Sequence, residues 1–234
     1  MNLPPLFRKM LAEFIGVAVF LTAILGAGAT FAVAGGADFN VLHSASLAIA
    51  LGLMVLLTGG VSGGHLNPAV SLYFYAKGEL KLGEFLGYVV AQLAGAVAGV
   101  SLAFYLVGTG TLGFVSTVTP AATNVNGAFA GEVLATAGLV WLIVHLVQNK
   151  LGNILPFVLM LWVFAASLFT STGAQANPAV TFGLMVSGKL AVSNGLLIMI
   201  AELTGLILAM VIVLALTSGR AKKKAAARKP AAKK

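Results

Sequence analysis

The feature that most constrains this chain is a series of long stretches without a charged residue. Residues 14–37, 39–76 and 85–131 contain no Asp, Glu, Lys or Arg. A helix needs about 20 predominantly apolar residues to cross the hydrocarbon core of a bilayer. Because 59% of the 234 residues are hydrophobic and only 9% are charged, the chain cannot cover a soluble core with charge. The sequence therefore predicts a membrane protein.

Hydropathy divides the chain into six transmembrane helices, so the predicted fold class is an all-α membrane protein. The predicted spans are 10–33, 42–61, 84–107, 128–148, 154–171 and 193–217. The first span is longer than the roughly 7–15 apolar residues of a signal-peptide core, and we interpret it as a helix. Two further apolar segments, 67–76 and 177–187, are too short to cross the bilayer and are expected to re-enter it.

The basic residues predict the orientation of these spans. One side of the membrane receives Arg8, Lys9, Lys77, Lys81, Lys150 and the C-terminal segment 220–234, and the other receives Lys189. By the positive-inside rule, both termini are expected in the cytoplasm and the uncharged connection 108–126 outside the cell. The segment 220–234 holds eight basic and no acidic residues, so we expect a disordered tail after a membrane domain over residues 1–219.

The membrane domain contains two copies of one pattern, in halves over about 8–107 and 127–217. The segment Asn67-Pro68-Ala69-Val70 is matched by Asn177-Pro178-Ala179-Val180. Gln92 and Glu202 each follow their asparagine by 25 residues, and an intramembrane glutamate, Glu13 or Glu132, stands near the start of each half. Because each half has three spans, the second copy is inverted relative to the first. Inverted repeats are typical of transporters and channels, with the site near the membrane midplane.

Small residues recur at every fourth position of the third span. They are Gly87, Ala91, Gly95, Gly99 and Ala103. Such a ridge allows two helix backbones to approach closely, which favours helix association in lipid. We interpret these residues as packing positions only.

The duplicated Asn-Pro-Ala segment predicts the start of a short helix. Asn is a favoured N-cap, and Pro suits the first helical position. With one copy inverted, the two short helices meet N-terminus to N-terminus, each end carrying roughly half a positive charge. We expect the side-chain NH2 groups of Asn67 and Asn177 to remain free as donors. A neutral solute oxygen can accept these hydrogen bonds, whereas a cation meets a positive barrier.

These motifs resemble the major intrinsic proteins, the aquaporins and aquaglyceroporins, over residues 8–217. The segments Ser62–Val70 and Thr172–Ala179 carry the resemblance. It implies a passive channel for water and small uncharged solutes, with an aquaporin-like fold, a homotetrameric assembly and a location in the cell membrane. The pore-lining residues it implies are Asn67, Pro68, Ala69, Asn177, Pro178, Ala179 and His65, and it implies structural roles for Glu13 and Glu132.

The resemblance also implies a second constriction, on the external side. The matching positions are Leu47, Ala165, Ala174 and Val180. The family usually has an arginine at the position of Val180, and an aromatic or histidine residue is missing from the other three. We therefore expect a wide apolar filter that also admits glycerol, urea or metalloid hydroxides. The segment Ser171–Thr181 resembles a bacterial branch of the family that is associated with such solutes.

Two other functions remain open from the sequence. The missing arginine and the membrane carboxylates Glu13, Glu132 and Glu202 are compatible with an ion channel or a proton-coupled transporter. A structural membrane protein with a closed pore is the third reading. His65 either faces the pore or forms local hydrogen bonds in its loop. We expect no enzymatic activity, cofactor, metal site or nucleic-acid binding, because no residue pattern points to one.

Overall fold

The computed structural model of the chain describes residues 3–34, 39–108 and 125–226. Within these ranges the chain forms α-helices and one short 3-10 turn, Gly152–Ile154. The helices are α1 (Pro5–Ala34), α2 (Phe39–Ser62), α3 (Pro68–Ala76), α4 (Leu82–Val107), α5 (Val125–Gln148), α6 (Leu155–Phe169), α7 (Pro178–Val186) and α8 (Val192–Ala226). The predicted external connection 108–126 lies almost entirely outside the described residues.

The helices match the predicted arrangement of six spans and two re-entrant segments. In the described part of the chain, six helical segments are long and apolar enough to cross a membrane. Helices α3 and α7 have nine residues each, which corresponds to about 14 Å and is less than half of a bilayer core. The prediction of an all-α membrane fold with two half-length helices is confirmed.

The predicted disorder of the C-terminal segment is wrong for its first part. Helix α8 continues to Ala226, so residues 220–226 are helical. Alanine, lysine and arginine are strong helix formers, and extending an existing helix avoids the cost of nucleation. The prediction of disorder rested on the lack of apolar residues in the segment, whereas the helix that precedes it continues into it. Residues 227–234 lie outside the described part of the chain.

The two halves of the chain pack in equivalent ways. Helix α1 packs along α4 and beside α2, and helix α5 packs along α8 and beside α6. Each half-helix also contacts the other half, because α3 touches α8 and α7 touches α4. The inverted repeat therefore brings α3 and α7 into contact at the centre of the molecule.

Glycines permit the closest approach between the long helices. A Cβ atom added to Gly95 would lie 2.5 Å from the carbonyl oxygen of Phe14, and one added to Gly99 would lie 2.5 Å from that of Ala18. In the second half, a Cβ atom on Gly205 would lie 2.6 Å from the carbonyl oxygen of Val133. The small residues on α4 are thus the points where α1 and α4 meet backbone to backbone.

We predict that Gly95→Ala destabilises the fold by about 1–3 kcal/mol, because the new methyl group must push α1 and α4 apart. The matched control is Gly83→Ala on the same helix, where nothing lies within 4 Å of the added Cβ atom. Thermal unfolding in detergent measures both. Equal unfolding temperatures for the two variants would contradict the close contact between α1 and α4.

Candidate pore

Each Asn-Pro-Ala segment begins a half-helix in the way its residues dictate. The Asn67 side-chain oxygen accepts a hydrogen bond from the Ala69 amide at 2.9 Å. The Asn177 side-chain oxygen accepts one from the Ala179 amide at 3.0 Å. Each proline, Pro68 or Pro178, is the first helical residue, where its missing N–H costs nothing. Both asparagines are therefore N-caps whose side chains are fixed by their own helices.

The same two asparagines link the half-helices to each other. The Asn67 Nδ2 group donates to the Ala176 carbonyl oxygen at 2.8 Å, and the Asn177 Nδ2 group donates to the Leu66 carbonyl oxygen at 2.8 Å. The expectation of wholly free NH2 groups is therefore wrong, because the opposite loop uses one donor of each. An amide NH2 group has two hydrogens, so one donor of each asparagine remains.

The residues that supply these carbonyl groups have a left-handed backbone. Leu66 has φ 50° and Ala176 has φ 45°. This conformation costs roughly 1–2 kcal/mol for a residue with a Cβ atom. The backbone amides of both loops donate hydrogen bonds to buried carboxylates, and these bonds compensate for the cost.

Glu13 anchors the first loop. It is fully buried on α1 and accepts hydrogen bonds from the backbone amides of His65 at 3.0 Å and Leu66 at 2.6 Å. The Ser62 hydroxyl and the Gln92 side-chain amide donate to the same carboxylate at 2.6 Å and 2.8 Å. Glu13 thus makes four hydrogen bonds within the protein.

Two carboxylates anchor the second loop. Glu132 accepts from the backbone amides of Gln175 at 2.9 Å and Ala176 at 2.7 Å. Glu202 accepts from the next amide, that of Asn177, at 2.8 Å, and from the Thr181 hydroxyl at 2.7 Å. Both glutamates are fully buried. Three consecutive amides before α7 are therefore held by side chains of α5 and α8.

A wide cavity of about 300 Å³ lies on the side of the loops where α2 begins and α6 ends. Three of the four predicted filter residues, Leu47, Ala174 and Val180, line this cavity. Lys189 is the one charged residue in its lining among the described residues. The remaining lining residues include Asn40, Ser44, Ser167, Leu168, Thr170 and Ser171.

Ala165 does not belong to this lining. It is exposed and lies on the same outward-facing stripe of α6 as Phe157 and Leu161, four residues apart along the helix. The structure places Ser167 at the cavity instead. Ala165 was predicted from its distance to Asn177 along the chain, which assumes a fixed length for the turn after α6. This assumption selects the face of α6 that points away from the cavity.

A narrow cavity of about 30 Å³ lies at the meeting point of the half-helices. It is lined by Asn67, Asn177 and His65, together with apolar residues of α1, α2, α5 and α6. His65 also lies within hydrogen-bond distance of Ser71, with its Nδ1 atom 3.1 Å from the hydroxyl oxygen. Both alternatives for His65, a pore position and a local hydrogen bond, therefore hold at once.

The other motif residues stand back from the cavities. Ala69 and Ala179 are completely buried. These two alanines line neither cavity, and Pro68 and Pro178 do not line them either. They begin the half-helices, while the carbonyl-bearing residue Ala176 lines the narrow cavity. Their part in the site is to place the asparagines.

Among the lining residues that were not predicted from the sequence, Phe20 and Gln175 border both cavities. Phe20 follows Glu13 by seven residues and so lies on the same face of α1, two turns away. Gln175 occupies the position in the second repeat that His65 occupies in the first. The repeat could have indicated Gln175, whereas the place of Phe20 depends on how α1 packs.

Two half-helices that meet at their N-termini, enclosed by six spanning helices and flanked by two cavities, define a transmembrane channel. Residues 2–173 and 154–234 match the family model described as major intrinsic protein. The chain is 33% identical over 177 residues to Aquaglyceroporin AqpS of Rhizobium meliloti, covering 75% of this chain and 74% of that protein. It is also 33% identical over 193 residues to Aquaporin TIP1-1 of Arabidopsis thaliana, covering 77% and 75%.

A solved structure has the same fold. The X-ray structure of the aquaglyceroporin from Plasmodium falciparum superimposes with a TM-score of 0.77 and 23% identity, covering 87% of this chain and 93% of that one. The chain belongs to the major intrinsic protein family, which is a family of channels rather than enzymes. The family and the channel function predicted from the sequence are confirmed.

We predict that Asn67→Leu abolishes conduction and lowers stability by about 1 kcal/mol, because it removes both the cap and the link to Ala176. Asn67→Ser keeps a good N-cap and loses the amide donor, so it should be more stable than the leucine variant and still lose conduction. Thermal unfolding and stopped-flow light scattering of proteoliposomes measure the two properties. Full conduction by the serine variant would refute the role of the amide donor.

Proposed function

We propose that this channel passes water and small uncharged solutes, with glycerol among them, and does not restrict passage to water. One observation carries the proposal. The narrow cavity is bordered by the amides of Asn67 and Asn177, and its lining among the described residues contains no Asp, Glu, Lys or Arg. The names of the relatives, an aquaglyceroporin and an aquaporin, support the same class of solute.

The half-helices supply the selection for neutral molecules. Both N-termini point towards the narrow cavity, and each carries roughly half a positive charge that repels cations. Each asparagine keeps one N–H after its bond to the opposite loop. A water or hydroxyl oxygen accepts from these two donors, which replaces part of the hydration that it loses on entering.

The wide cavity supports solutes larger than water. Leu47, Ala174 and Val180 present apolar side chains there, and valine supplies neither the bulk nor the charge of arginine. Serine and threonine hydroxyl groups elsewhere in the lining suit solutes that carry several hydroxyl groups. Glycerol and uncharged metalloid hydroxides carry such groups, and urea offers N–H donors and a carbonyl acceptor to the same hydroxyl groups.

The arrangement of carboxylates argues against a proton-coupled transporter. Glu13, Glu132 and Glu202 line neither cavity. Each of them accepts hydrogen bonds from the re-entrant loops, so they act as loop anchors rather than as groups exposed to a solute. Voltage clamp of the reconstituted protein tests this point, because a channel for neutral solutes carries no current.

We place the protein in the cell membrane as a homotetramer with one pore in each chain and both termini in the cytoplasm. The basic residues near α1, α3 and α5 support this orientation through the positive-inside rule, and the wide cavity with Lys189 then faces outwards. Residues 1–219 form the channel domain, with repeats over 8–107 and 127–217. Native mass spectrometry in detergent tests the tetramer.

We predict that Val180→Arg reduces glycerol, urea or arsenite flux more than water flux. The arginine side chain would extend into the wide cavity, narrowing it and adding a fixed charge. Light scattering of proteoliposomes after separate sucrose, glycerol and urea gradients gives the ratios.

The control for this variant is Val180→Leu, which adds volume without charge. Because an unpaired charge near the membrane interior can cost about 2.5–3.5 kcal/mol, the folded yield of the arginine variant is checked first. An unchanged ratio of solute to water flux in folded Val180→Arg would remove Val180 from the filter.

A further inference from the structure

The wide and the narrow cavity meet at two residues. Phe20 and Gln175 line both cavities, and among the described residues no other side chain does so. Residues that border both spaces lie at the passage between them. The predicted filter residues Leu47, Ala174 and Val180 instead surround the wide cavity, whose volume is about ten times that of the narrow one.

Gln175 is fixed on one side of this passage. Its backbone amide donates to Glu132 at 2.9 Å, and its side-chain oxygen lies 2.8 Å from the hydroxyl oxygen of Thr181, which donates to Glu202. Only 8% of the residue is exposed. The bond to Glu132 fixes the backbone of Gln175, and the side chain lies buried next to Thr181.

Phe20 is fixed on the other side. It lies on α1, which packs against α4 and α2, and it is only 4% exposed. Gly95 and Gly99 allow α4 to pack directly against the backbone of α1 at Phe14 and Ala18, in the turns before Phe20. An aromatic ring has only two side-chain torsions and keeps its shape in a packed wall.

Phe20 has a counterpart in the other repeat that lines only the narrow cavity. Phe20 follows Glu13 by seven residues, and Leu139 follows Glu132 by seven residues in the other half. Leu139 lines the narrow cavity but not the wide one. At equivalent positions the two halves therefore present a rigid ring on the side of the wide cavity and a smaller aliphatic side chain on the opposite side.

We propose that Phe20, held opposite the fixed Gln175 loop, sets the upper size limit for uncharged solutes in this channel. The wide cavity admits solutes, and the passage at Phe20 decides which of them reach the asparagines. This inference rests on the proposed function and names the residue that determines its size selectivity.

The test measures the permeability of proteoliposomes to water and to linear polyols of increasing length: glycerol, erythritol and xylitol. Phe20→Leu copies the residue of the other repeat, and we expect it to raise erythritol permeability relative to water by about threefold or more. Phe20→Trp should lower the ratio of glycerol to water permeability. Phe20→Met is a second widening variant in case the leucine variant does not fold.

Two controls locate the effect. Phe104→Leu makes the same change on α4 at a partly buried residue that lines neither cavity, and it should leave all ratios unchanged. Val180→Ala is the comparison variant in the wide cavity, and it should move the size limit less than Phe20→Leu does. Thermal unfolding confirms that each variant is folded.

The outcomes separate the inference from the proposed function. A size limit that moves with Val180→Ala and not with the Phe20 variants would overturn the role of Phe20 while leaving the proposed function intact. A parent protein that passes water but no glycerol would overturn the proposed solute range. In that case a Phe20→Leu variant that gains glycerol flux would still support Phe20 as the size limit.

Discussion

The structure depends on the pair of crossed hydrogen bonds between each pore asparagine and the carbonyl group of the opposite loop. Two half-helices that meet N-terminus to N-terminus bring like partial charges together and leave their first N–H groups without helical partners. Asn67 and Asn177 solve both problems, because each caps its own helix and also bonds to the other loop. Neither half can hold its short helix at membrane depth without the other half.

This junction requires non-helical backbone in the middle of the membrane, where unpaired polar groups are costly. The buried glutamates meet the requirement at equivalent points of the repeat: Glu13 binds the two amides before Asn67, and Glu132 binds the two before Asn177. They also hold the left-handed residues whose carbonyl groups the asparagines need. Carboxylates in the membrane therefore form part of the scaffold here, which explains why they lie away from the cavities.

Most of the fold could be predicted from the sequence, because hydropathy, helix capping and the repeat are local signals. The positions that depend on the register between distant elements could not. Ala165 was assigned by counting through a turn of unknown length, and the helix turns its face away from the cavity. Phe20 lies far from either motif in the chain, and only the packing of α1 brings it to the second loop. The helical extension to Ala226 depends on the helix before it rather than on its own composition.

The differences between the halves separate the scaffold from the solute path. The caps, the prolines and the first glutamate are the same in both repeats, and all of them hold backbone. The positions that line the cavities differ between the repeats: Gln175 occupies the position equivalent to His65, and Leu139 the position equivalent to Phe20. A symmetric scaffold fixes the two donors at the centre, and it leaves the surrounding side chains free to differ. Under the proposed function, selectivity among neutral solutes follows from the asymmetry of the lining, while the exclusion of charge follows from the symmetry of the half-helices.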